Sequence, residues 1–81
     1  MARVTRVRVR NEIPRLLGLR GWTDGMLAAR AGLPRVRVNR IKNGRARPTV
    51  GEALLLAAAF GLRVAAVFRL DEPVAWTRWD A

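Results

Sequence analysis

The chain has 81 residues with 16 Lys+Arg against 6 Asp+Glu, a net charge of +10, and neither cysteine nor histidine. Disulfides and the usual metal ligands are therefore excluded, and a single core of this size is marginal unless a partner subunit supports it. A charge of that sign attracts a polyanion such as nucleic acid, the competing reading being an arginine-rich surface that serves only solubility.

The N-terminal MARVTRVRVR has no apolar leader segment, and nowhere do the roughly 20 apolar residues needed to span a bilayer occur together. A cytoplasmic chain with no membrane association is expected. The tetrapeptide RVRV occurs twice, at 6–9 and at 35–38. Alternation of valine with arginine is the local pattern of a half-buried strand.

Context separates the two copies. Proline is tolerated only in the first turn of a helix, so Pro14 places a helix start at about Glu12, with Asn11 as its N-cap. Ile13, Leu16, Leu17 and Arg20 follow at helical spacing, and Gly21 ends the element. Residues 4–10 are thereby left outside the helix, free to form a strand. Thr23 caps a second short helix, DGMLAARA, whose apolar face is Leu27, Ala28 and Ala31 and whose stop is Gly32. After the dipeptide LP comes PRVRVNRIKNG. Val38 and Ile41 stand i, i+3, a proline opens the segment and Asn43-Gly44 closes it, so the second RVRV is read as helix over about 34–43.

The sequence TVGE then forms a capping box between Thr49 and Glu52, opening an apolar helix over Val50–Phe60 that Gly61 ends. A fifth short helix is expected at about 63–68. The tail reads as an extended piece at 67–70, a turn at DEP and a second extended piece at 74–79.

Two short helices joined by a glycine-containing turn have the form of a helix-turn-helix. The stretch from Trp22 onward resembles the lambda-repressor-like Xre/Cro family through Leu27, Ala28, Ala31, Gly32, Val38, Ile41, Asn43, Gly44, Pro48, Ala53, Leu56, Ala57, Phe60, Val64 and Phe68, without a gap. The resemblance implies a mainly α, single-domain fold over 1–81. It would be a five-helix lambda-repressor-like bundle over 11–68, with a small antiparallel β element formed by the N-terminal strand (4–10) and the C-terminal extended segment or hairpin (67–79).

Between Gly25 and Gly51 there is no acidic residue, while Arg30, Arg35, Arg37, Arg40, Lys42, Arg45 and Arg47 fall in that interval. A basic helix beside a basic loop suits a DNA major groove flanked by phosphates. By resemblance, Arg35, Val36, Asn39 and Arg40 are expected at base edges, and Arg37, Asn43, Arg45 and Arg47 at phosphates. The competing reading is a solvated outer helix face. Three positions depart from the family pattern. Pro34 replaces a capping Ser or Thr. Asp24 replaces a glutamine, and would repel phosphate unless Arg35 or another arginine neutralises it. Lys42 replaces a common glutamate, with expected loss of an internal ion pair.

Short regulators of this type carry terminal strands that build a two-fold dimer. The implied interface is Val7, Val9, Phe68, Trp76 and Trp79, with a basic arm that wraps DNA as the alternative for the N-terminus. Trp22 is expected in the core between the first two helices. The function implied is a homodimeric, sequence-specific double-stranded-DNA-binding repressor acting on an inverted repeat. Alternatives are an antitoxin that binds a toxin protein and its own promoter, or a protein-interaction adaptor of the same fold. No cofactor or metal is expected, and the scattered carboxylates assemble no catalytic constellation.

Overall fold

The structure, a computed structural model, describes residues 9–70. In chain order these form β1 (Val9–Asn11), α1 (Ile13–Arg20), α2 (Asp24–Ala31), α3 (Arg35–Lys42), α4 (Val50–Phe60), α5 (Val64–Val67) and β2 (Phe68–Leu70). The expectations for 4–8, Val7, Trp76, Trp79 and the second extended piece of the tail lie outside the described residues.

Helix boundaries follow from local chemistry. α1 begins at Ile13, one residue later than the proline argument places it, with Glu12 as its N-cap, and the Glu12 N–H, which has no partner within the helix, donates to the Val67 carbonyl at 2.8 Å. Asn11, the expected N-cap, instead precedes the cap and is the last residue of β1; its Oδ1 still accepts the Ile13 N–H of the first turn at 2.8 Å. Thr23 caps α2 through the Met26 N–H at 3.1 Å. The capping box of α4 is complete: Thr49 Oγ1 accepts the Glu52 N–H at 3.0 Å and Glu52 Oε1 accepts the Thr49 N–H at 2.9 Å. The fifth helix is shorter than the expected 63–68, ending at Val67 where the chain turns extended at Phe68.

One core joins all five helices. Ile13, Leu27, Val38 and Leu56 are fully buried, with Leu16, Ile41, Phe60 and Val67 around them. Phe68 packs against this cluster from β2. Trp22, between α1 and α2, packs half-buried against this core. It stacks on Phe60 at the end of α4, with centroids 5.3 Å apart and planes within 9°. The Arg30 guanidinium lies over its ring at 4.5 Å and that of Arg20 at 5.3 Å. Arg20 Nη2 also donates to the Phe60 carbonyl at 2.7 Å, satisfying the C-terminus of α4.

β1 and β2 pair antiparallel in the register Val9↔Leu70, Arg10↔Arg69 and Asn11↔Phe68. Two arginines directly opposite each other destabilise a ribbon. Glu12 offsets this. Its buried carboxylate lies 2.8 Å from Arg15 Nε and 3.6 Å from Arg10 Nε. The hydrogen bond from Arg15, then the fields of Arg15, Arg10 and Arg69, hold its pKa below the ordinary glutamate value. No helix among the described residues is long and apolar enough to cross a membrane.

Candidate nucleic-acid interface

The turn between α2 and α3 is tight. Gly32, at φ 72°, takes the left-handed conformation that glycine adopts without steric cost. Its N–H and that of Leu33 both return to the Ala28 carbonyl, at 2.8 and 3.0 Å. Pro34 supplies no side-chain cap to α3. At the far end Gly44, φ 76°, reverses the chain, and Asn11 Nδ2 closes the helix by donating to the carbonyls of Ile41 at 2.7 Å and Lys42 at 3.2 Å.

Val38 and Ile41 are buried against α2 and the core. With a step of about 100° per residue, their direction fixes all the others. Val36 and Asn43 then point away from the protein, Asn39 and Arg40 diverge by about 50° to either side of them, Arg35 and Lys42 lie on the flank beyond Asn39, and Arg37 lies on the other. Val36 is 66% exposed, and Arg40 and Asn43 are exposed as well.

A carboxylate stands on each flank. On the first, Asp24 at the start of α2 accepts from Asn39 Nδ2 on Oδ2 and from Lys42 Nζ on Oδ1, both at 2.9 Å. These bonds, Asn39 first and Lys42 second, hold the Asp24 pKa below its ordinary value. On the other, Glu52 in the first turn of α4 receives Arg37 side-on: Nε to Oε2 and Nη2 to Oε1, each 2.8 Å. Arg37 Nη2 also reaches the Arg47 carbonyl at 3.0 Å. The Arg37 bond and then the Thr49 backbone bond lower the Glu52 pKa to about 2.

This geometry places the expected site residues unequally. Arg35, Val36, Arg40, Asn43, Arg45 and Arg47 are each exposed, and the Arg35 Cδ runs within 3.9 Å of the point a Cβ would occupy at Gly25. Arg37, expected at a phosphate, is turned sideways and fastened to α4. Asn39, expected at a base edge, gives one N–H to Asp24, and its Oδ1 receives Asn43 Nδ2 at 3.3 Å. One expectation about the departures is corrected. Asp24 is neutralised chiefly by Lys42, with the field of Arg35 acting in the same direction, and Lys42 has an internal ion pair after all. Its sign is reversed from the family's usual glutamate, and the anion sits on α2. The partners are 15 and 18 residues apart in sequence, and the one available signal was that positions 24 and 42 both depart from the pattern with opposite charge.

Of the expected interface residues, Val9 is 57% exposed, while Phe68 packs inward on the chain's own core. A more extensive apolar surface is on α4, where Val50, Leu54 and Leu55 are 79%, 56% and 46% exposed.

Residues 15–67 match a family model described as helix-turn-helix, which covers more than half of the chain. No curated protein matches the chain.

Proposed function

The chain belongs to this helix-turn-helix family, of the lambda-repressor-like Xre type, whose members are DNA-binding regulators, and from that premise we propose that it is a homodimeric, sequence-specific repressor of transcription. It would occupy an inverted-repeat operator with half-sites about one helical turn apart and block the promoter sterically. The observation that carries this reading is the outer face of α3. Val36 and Arg40 project outward from a helix braced by a carboxylate on either flank, and the surface around them is basic.

Arg35 and Arg40 are assigned to guanine O6 and N7, Val36 to a thymine methyl, and Asn39 to a base edge. Asn43, Arg45 and Arg47 are assigned to phosphates, which orient the helix without reading sequence. Arg37 is assigned to bracing the helix.

The second copy is assigned to the α4 face. Two chains of net charge +10 approach each other where positive charge is sparse. The sole charged residue of α4 is Glu52, whose carboxylate is turned to Arg37. Val50, Leu54 and Leu55 thus form an uncharged apolar stripe on a basic protein.

Selection from a random duplex library at several salt concentrations tests the proposal. The expected result is a palindrome, bound with a log-log salt slope of about −0.9 per phosphate neutralised. Recovery of no preferred sequence overturns it.

A further inference from the structure

We infer that Asp24 determines base specificity without touching a base, by fixing which end of the Asn39 amide faces the groove. This rests on the proposed seating of α3 in a major groove.

An asparagine side chain has two faces of opposite character, an NH2 with two donors and a carbonyl with two acceptor sites. Left alone on a helix surface, it rotates to suit either kind of base edge. Asn39 is not left alone. An ionised carboxylate only accepts, so Asp24 Oδ2, at 2.9 Å, takes the NH2 end and no other. The second oxygen of Asp24 is held by the Lys42 ammonium at 2.9 Å, which prevents the carboxylate from swinging away. The Asn39 carbonyl is thereby turned from α2 toward Asn43, whose Nδ2 it accepts at 3.3 Å. That leaves one acceptor site on Oδ1.

An outward acceptor selects bases with an amino group in the major groove, which are adenine through N6 and cytosine through N4. Guanine O6 and thymine O4 are acceptors and meet it lone pair to lone pair. Asn39 keeps one Nδ2–H beside that acceptor, a pair that adenine meets with N7 and N6–H; the structure thus assigns to the half-site one position, opposite Asn39, at which adenine and then cytosine are preferred.

The test is the base preference of Asp24→Asn against wild type in the same duplex selection. The amide introduced there keeps Lys42 on its carbonyl oxygen and turns its NH2 toward Asn39. Asn39 then accepts from α2 and presents its own NH2 outward. One position of the site is expected to switch from adenine or cytosine to guanine or thymine, by about tenfold in relative affinity, at the lower end of what one good base contact supplies. Asp24→Ala frees the amide and is expected to flatten preference at that position without switching it. Asn39→Ala is expected to flatten the same position and to abolish any further effect of Asp24→Asn. Thermal melting of each variant shows that it is folded.

A role for Asp24 in stability alone weakens all sequences equally and moves no preference. Wild type and Asp24→Asn selecting the same bases, or Asn39→Ala retaining the preference, overturns the inference. If the wild-type chain selects no sequence, the proposed function fails and this inference fails with it. If it selects a site that Asp24→Asn leaves unchanged, the inference alone fails.

Discussion

Arg37 and Glu52 meet side-on across the gap between α3 and α4, through two parallel hydrogen bonds of 2.8 Å each. The planar fork of arginine matches the two oxygens of a carboxylate, a geometry that lysine cannot reproduce. Arg37→Lys keeps the charge and loses the fork. The expected outcome is a lower melting temperature and an equal loss of affinity for all duplexes, with the salt slope unchanged. A slope shallower by about one unit would instead mark Arg37 as a phosphate contact.

Arg40 and Arg47 differ in the opposite sense. Arg40 projects outward from the middle of α3, whereas Arg47 lies in the loop beyond it. Replacing Arg40 by alanine is expected to cost about 1 to 3 kcal/mol and to relax preference at one base pair. Replacing Arg47 by alanine is expected to weaken all sequences alike and to reduce the salt slope by about one unit. Titrations against a selected site and a scrambled site, at three salt concentrations, separate the two.

Acid should unfold the domain through its three described carboxylate clusters. Glu12, Asp24 and Glu52 all have folded-state pKa values below the ordinary ones of 4.5, 3.8 and 4.5. A depressed folded pKa contributes stability that is fully present above the unfolded value and is lost as pH falls through the folded value. With no histidine or cysteine in the chain, no side chain has an ordinary pKa in the neutral range. The melting temperature is therefore expected to be nearly flat from about pH 5 to 8 and to fall between about pH 4.5 and the Glu52 value of about 2. Glu52→Gln should melt lower at neutral pH and lose less on acidification.

Leu54 is 56% exposed on the uncharged stripe of α4. Leu54→Glu is expected to leave the melting of a single chain nearly unchanged, as surface substitutions do within about 0.5 kcal/mol. Sedimentation should then show a monomer where a dimer is expected of the wild-type chain. Binding to a palindrome should fall toward that of an isolated half-site. A wild-type chain that sediments as a monomer at all concentrations would remove the second copy from the proposal.

Punctuation residues made most of the helical frame readable before any coordinates. Thr49, Glu52 and Gly61 delimit α4 at the residues where it begins and ends, because caps and left-handed glycines act through neighbours a few positions away. Pro34 and Asn43-Gly44 likewise overrode the strand-like look of the second RVRV. What was not readable depends on neighbours distant in sequence. Arg37 and Asn39 looked like outward-facing polar residues on a basic helix. Their actual partners, Glu52 and Asp24, come from two other helices, and helical spacing within α3 says nothing about which side chains of α2 and α4 lie alongside. The stacking partner of Trp22, Phe60, was unreadable for the same reason, being nearly forty residues on.

Among the described residues the ribbon pairs two strands of three residues each, which have little of their own to hold their alignment, since one slip exchanges the faces of every side chain and costs few pairs. Asn11 changes that. Its place opposite Phe68 coincides with the one position from which its amide reaches Ile41 and Lys42 and its carbonyl oxygen takes the Ile13 N–H. A shift of β1 by one residue would break the Asn11 bond to the first turn of α1 and the closure of α3 in a single event. The strand alignment is thus proofread from across the domain, and a partner that pulled on the ribbon would be pulling on α3.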